Sequence, residues 1–253
     1  MRRLFRKKTA KTPAVPKQTS GELEDLTREY GALYQKVRPY TMTGLPRIAA
    51  LAEAVRYVVK RQLPGAFAEC GVWRGGSVLA MITVLQELGC DDRDIYLYDT
   101  FEGMTEPTAE DTSRFDGSAN ETWKQAQVTG ERPWGALFSA ERFGEEQVRQ
   151  MLEASGYPKH RLHLVRGPVE STIPAVAPEQ IALLRLDTDW YESTRHELLH
   201  LYPRLCASGV LIIDDYGHWE GCRRAVDEYF GPGGAAPLLL QRIDYTGRLA
   251  IKC

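Results

Sequence analysis

Short, mostly apolar runs alternate along this chain with stretches of helical periodicity. That alternation restricts it to a largely parallel sheet covered on both faces. The runs at 66–71, 95–98, 162–165, 181–186 and 209–213 predict strands. Periodic segments at about 45–62, 77–88, 145–155, 193–206 and 219–230 predict helices, the first opened by Pro46 and closed by Pro64 and Gly65. At the end the rhythm breaks, and 237–243 and 248–252 predict two strands joined by the tight turn 244–247. The expected fold is α/β, with a seven-stranded, mostly parallel sheet, a terminal antiparallel hairpin and helices on both faces.

A chain of 253 residues, 43% hydrophobic and 26% charged, suits one large domain. Residues 21–253 are read as that domain, with 21–64 as an N-terminal helical cap. Residues 101–142, rich in Glu, Thr, Gly and Pro, are read as an inserted connection of a length that is more often functional than idle. Its Trp123 and Trp134 fit either a lid over a bulky acceptor or an anchor. Residues 1–20 carry Arg2, Arg3, Arg6, Lys7, Lys8, Lys11 and Lys17 and no acid; since the whole chain is at −2, the remainder is at −9. That balance excludes a nucleic-acid-binding surface on the folded part. The tail reads as a solvated leader, with an arm touching membrane or RNA as the alternative. No apolar run reaches the roughly 18 residues that span a bilayer, nor does a secretory apolar core follow the basic start, so a cytoplasmic protein is expected. The five cysteines form no CxxC pair and read as ordinary thiols.

Two clusters carry chemistry. The turn from Glu69 through Gly71, Arg74, Gly75 and Gly76 to Ser77 lies between a strand and a helix, where doubly wound sheets bind nucleotide-like ligands. An acid before the turn is unwelcome to a pyrophosphate but suits S-adenosylmethionine, which carries a sulfonium and an ammonium group. Asp99, ending the next strand, stands where a carboxylate can accept from both ribose hydroxyls. Further on, one strand ends in Asp187-Thr188-Asp189 and another in Asp214-Asp215, so four carboxylates are expected at one edge of the sheet. Such crowding is repulsive until a divalent cation relieves it, and an all-oxygen ligand set favours Mg²⁺ over zinc.

With these residues in view, the chain resembles a known family. Thr41-Met42-Thr43-Gly44, GVWRGGS at 71–77, YDTFEG at 98–103, LLRLDTDWYEST at 183–194 and LIIDDYGHWEGCRRAVDEYF at 211–230 are similar to the macrocin O-methyltransferases. The resemblance runs from about residue 41 to 252, and 106–142 carries no family string. It implies the class I methyltransferase fold, O-methylation of deoxysugar hydroxyls on natural products, and Mg²⁺ on Asp187, Asp214 and Asp215. Glu69, Gly71, Arg74, Gly75, Gly76 and Ser77 are expected around the amino-acid end of the donor, with Asp99 on its ribose. Resemblance alone adds Met42 and Thr43 over the methyl donor, and Pro168 and Val169 beside the adenine. Asp189 is the expected general base, with His218 as the alternative. A homodimer or larger homo-oligomer is also expected. Two rivals stay open: the same fold acting on a catechol or phenol, and a non-catalytic nucleotide-binding protein whose acids hold a structural cation.

Overall fold

The structure, a computed structural model, describes residues 20–138 and 143–253. The basic tail predicted at 1–20 lies outside the described residues except for Ser20, which opens the first helix. The elements in chain order are α1 (Ser20–Val37), α2 (Leu45–Lys60), β1 (Ala66–Cys70), α3 (Gly76–Glu87), β2 (Ile95–Asp99), β3 (Thr112–Ser113), β4 (Gly117–Ser118), α4 (Ala119–Thr129), α5 (Glu145–Glu153), β5 (Leu162–Arg166), α6 (Val169–Thr172), β6 (Ile181–Leu186), α7 (Tyr191–His200), β7 (Leu205–Ile213), α8 (Glu220–Tyr229), β8 (Gln241–Arg242) and β9 (Arg248–Ile251).

The seven-stranded sheet runs β5-β2-β1-β6-β7-β9-β8, and only β9 runs against the rest, antiparallel to β7 on one side and to β8 on the other. From β1 the chain proceeds outward through β2 to β5, then returns to the other side of β1 with β6. The crevice at that reversal is where open α/β sheets take ligands. One core layer packs α1, α2 and α3 on the sheet through Ile48, Leu51, Val55, Val58 and Met81; the other packs α7 and α8 through Leu198, Leu201, Cys222 and Val226. With both faces covered, every residue of β1 and β6 is buried. No described helix is long and apolar enough to cross a membrane.

Register turns this topology into a site. Tyr98, Cys70, Leu186 and Ile213 are paired neighbours across four strands. The residues that follow, Asp99, Gly71, Asp187 and Asp214, therefore emerge side by side at the carboxyl edge. Backbone bonds extend past the ladder there, from Asp187 N to Cys70 O (2.8 Å) and from Asp214 N to Leu186 O (2.9 Å).

Three expectations need correcting. The helix predicted at 193–206 ends at His200, because Pro203 interrupts it; Tyr202–Arg204 forms a 3₁₀ turn, and β7 starts four residues earlier than predicted. The first hairpin strand shrinks from 237–243 to Gln241–Arg242, since Leu238 and Leu240 turn into the α7/α8 layer instead of pairing. The 101–142 connection contains a small hairpin and α4. Ser118 caps that helix by accepting from Glu121 N (3.2 Å), and Gly130 ends it in a left-handed conformation.

Candidate active site

The glycine turn and the end of β2 are built as one unit. Asp99 accepts from the backbone N–H groups of Val72 and Trp73 (both 2.8 Å) on one oxygen and from Phe101 N (2.7 Å) on the other. Burial pushes its pKa up, against the pull of those three N–H groups. Gly71 sits at φ +81, and a Cβ there would overlap the carbonyl oxygen of Asp187, so the glycine is required by the close approach of β6. Gly75 and Gly76 answer to packing as well: a Cβ on the first would press into Met151 of α5, and one on the second would lie 2.6 Å from Tyr40 O.

Beside this turn lies a knot of charge. Arg185, fully buried in the middle of the apolar run of β6, bonds Glu69 (its cross-strand partner), Asp187 (2.6 Å), Asp214 (2.6 Å) and Thr43 Oγ1 (3.0 Å). Arg47, from α2, takes the other oxygen of Asp214 and reaches Asp244 at 3.1 Å. Glu69, Asp187, Asp214 and Asp244 thus pair with two guanidinium groups, while Asp189 and Asp215 crowd beside them with no ion pair to an arginine among the described residues. The surplus shows in their proton affinities. Burial, reinforced by neighbouring acids, pushes Asp189 up to about 8 and Asp215 well above its ordinary range. Burial also raises Asp187 to about 7 and Glu69 to about 8, although Arg185 pulls both down. Only in Asp214 do Arg185 and Arg47 outweigh burial and hold the carboxyl below its usual value. Asp187, Asp214 and Asp215 each place an oxygen within 4.8 Å of the others, and Oδ2 of Asp215 is buried without a hydrogen-bond partner among the described residues. A dication fits that set: it is all oxygen, over-charged, and includes a residue with a buried, unpartnered oxygen.

A family model described as Macrocin-O-methyltransferase (TylF) matches residues 1–249. The chain belongs to the macrocin O-methyltransferase family. It is accordingly an O-methyltransferase that uses S-adenosylmethionine, and its sheet is that of the class I methyltransferases. Among its relatives is the 8-demethyl-8-(2,3-dimethoxy-alpha-L-rhamnosyl)-tetracenomycin-C 4'-O-methyltransferase of Streptomyces olivaceus, 36% identical over 82% of this chain and 74% of that one. The mycinamicin III 3''-O-methyltransferase of Micromonospora griseorubida is 29% identical over 90% of this chain and 84% of that one. Among solved structures, the O-methyltransferase NovP superposes with a TM-score of 0.70 at 30% identity, covering 84% of this chain and 82% of that one.

In this O-methyltransferase a cleft of about 690 Å³ runs along the carboxyl edge. Met42, Thr43, Gly71, Ser77, Asp99, Pro168 and Val169 line it, as do Asp187, Asp189, Asp214, Asp215 and His218. Glu69, Arg74, Gly75 and Gly76, expected from the sequence around the donor, do not line it. Glu69 points at Arg185 inside the sheet, and Arg74 stacks over Tyr40 and Trp73 at 5.6 and 5.4 Å. His218 has both ring nitrogens engaged: Nε2 with Asp116 Oδ2 (2.7 Å) and Nδ1 with Tyr245 OH (3.1 Å). The carboxylate needs a donor, so Nε2 carries the proton and Nδ1 accepts from the tyrosine.

The inserted connection forms one wall of the cleft. Fully buried Asp111 ties it to the start of α7 by accepting from Tyr191 N (2.7 Å), and Trp190 Nε1 donates to Thr105 O (3.0 Å). Trp134, Trp190 and Trp219 line the cleft in sequence, with ring centroids 5.6 and 5.0 Å apart, while Trp123 packs behind Trp134. Arg47, Arg185, Asp111 and Asp116 were not singled out by sequence reasoning. A lone arginine inside the run LLRL was the available sign for the second of these.

Proposed function

We propose that this chain methylates a hydroxyl of a deoxysugar carried by a natural product, with Mg²⁺ held by Asp187, Asp214 and Asp215 and Asp189 as general base. The observation that carries the reading is the convergence of the three carboxylates, one with an unpartnered buried oxygen, on a cleft that also receives Asp189. The rhamnosyl group in the name of the Streptomyces olivaceus relative supports the sugar over a catechol. The donor binds along Met42, Thr43, Gly71, Ser77 and Asp99, with Pro168 and Val169 beside its adenine and Asp99, which lines the cleft, beside its ribose.

When bound, the cation lowers the pKa of an acceptor hydroxyl toward the range a carboxylate can deprotonate. The chain does the rest. Asp189 takes the hydroxyl proton on its carboxylate, and burial makes it a stronger base than an ordinary aspartate. The tryptophan wall and the inserted connection exclude water and orient the acceptor toward the donor. Because both nitrogens of His218 are committed, it serves to hold the 112–118 hairpin over the cleft. Asp189→Asn should therefore lower kcat by about 10²-fold or more, and His218→Gln by less than tenfold, in steady-state assays.

The deciding experiment is a mass-spectrometric screen of glycosylated natural products for the gain of one methyl group, run with Mg²⁺ and with EDTA. Product in the Mg²⁺ arm alone is expected. Equal product in both arms would remove the metal from the reading, and methylation confined to free catechols would remove the sugar.

A further inference from the structure

Glu197 is a fully buried acid that the mechanism above leaves unused. It sits on α7, lies outside the cleft, and pairs with no arginine or lysine among the described residues. One oxygen accepts from Thr188 Oγ1 at 2.9 Å; the other is buried with no hydrogen-bond partner among the described residues. The Cys70 thiol, at the end of β1 just before Gly71, faces the same carboxyl. A half-satisfied carboxyl inside an apolar layer costs stability, and a methionine of similar shape would pack there without that cost. A buried polar group left half-satisfied calls for an account other than stability.

Thr188 stands between the metal-side Asp187 and the base Asp189. Asp189 is held at φ +68, a left-handed conformation that a non-glycine residue keeps only when its surroundings impose it. The Thr188 carbonyl is already fixed by Trp190 N (2.8 Å) and Ser193 Oγ (3.4 Å), and its hydroxyl is fixed by Glu197. We infer that Glu197 is a positioning residue for methyl transfer: through Thr188 it sets the turn that aims Asp187 at the cation and Asp189 at the acceptor. The inference rests on the roles proposed above for those two aspartates.

The test compares Glu197→Met, Glu197→Gln, Thr188→Val and the Glu197→Met/Thr188→Val double variant with wild type. Four quantities are read: kcat, S-adenosylhomocysteine affinity, melting temperature, and Mg²⁺ affinity by calorimetry without acceptor. Glu197→Met should melt no lower than wild type and bind S-adenosylhomocysteine within twofold. Its kcat and Mg²⁺ affinity should fall by about tenfold or more, the scale seen when the partner that orients a metal ligand is removed. Glu197→Gln, whose amide oxygen still accepts from Thr188, should restore most of both. Thr188→Val should reproduce the loss, and the double variant should be no worse than either single one. Glu197→Met with kcat and Mg²⁺ affinity within twofold of wild type overturns the inference. So does a loss that merely tracks a lower melting temperature and weaker S-adenosylhomocysteine binding. A wild type that binds no Mg²⁺ overturns the metal reading itself, a result separable from the first because it needs no variant.

Discussion

Asp187→Ala and Asp215→Ala are each expected to lower kcat by about 10³-fold or more, since metal activation of the hydroxyl is worth several kcal/mol. Both should leave S-adenosylhomocysteine affinity within a few-fold of wild type by calorimetry. The two variants differ in stability for a reason visible in the structure. Asp187 gives a hydrogen-bond acceptor to Arg185, so its loss strips a buried guanidinium of one partner. Among the described residues Asp215 forms no ion pair with an arginine and its Oδ2 is unpartnered, and burial and the acids around it outweigh the pull of Arg47. Asp215→Ala should therefore melt higher than wild type in EDTA, yet gain nothing when Mg²⁺ is added. Near wild-type turnover in EDTA, or an undiminished Mg²⁺-induced rise in melting temperature, would sink the assignment.

Arg185→Met is expected to destabilise the fold by about 3–5 kcal/mol at pH 8, because it leaves Glu69, Asp187 and Asp214 without the cation they share. The pH dependence has a definite sign. Glu69 is raised from 4.5 to about 8 in the folded chain, so the stability tied to its proton is complete below about pH 4.5 and is lost as pH rises toward 8. Removing Arg185 takes away the guanidinium that holds Glu69 and Asp214 down, so both acids rise further and the penalty for ionising them grows with pH. Urea denaturation at pH 5 and pH 8 should show a small gap between variant and wild type at the lower pH and the full gap at the higher. An equal gap at both would show that Arg185 matters for packing and not for charge.

How much of this could be read from the chain depended on whether the physics was local. Asp187, Asp214 and Asp99 were legible because each follows an apolar run, and parallel strands with one register bring such ends together. Strand order was not legible, so neither was the pairing of Glu69 with Arg185, residues 116 positions apart. Glu69 was consequently read as facing the donor, whereas in the sheet it bonds Arg185, which Asp187 and Asp214 also bond. Arg47 shows the same limit, since only the packing of α2 against the sheet edge brings it to Asp214. In the inserted connection, Ser118, Glu121 and Gly130 carried a local helix signal, but too few apolar positions recur to show which face is covered.

The contact at Gly71 has a bearing on how such enzymes diverge. A side chain cannot enter between that residue and the Asp187 carbonyl, so the strand carrying the donor turn and the strand carrying the acids are welded at one seam. The spacing between the glycine turn and the acids is thus fixed by backbone contact, while the wall formed by 104–138 is attached through side-chain bonds such as those of Asp111 and Trp190. On the proposed function, that wall is the part of the cleft that can change without moving the acids. Exchanging it between family members is the economical route to a new acceptor, whereas redesigning the strand ends would disturb the reaction for every acceptor at once.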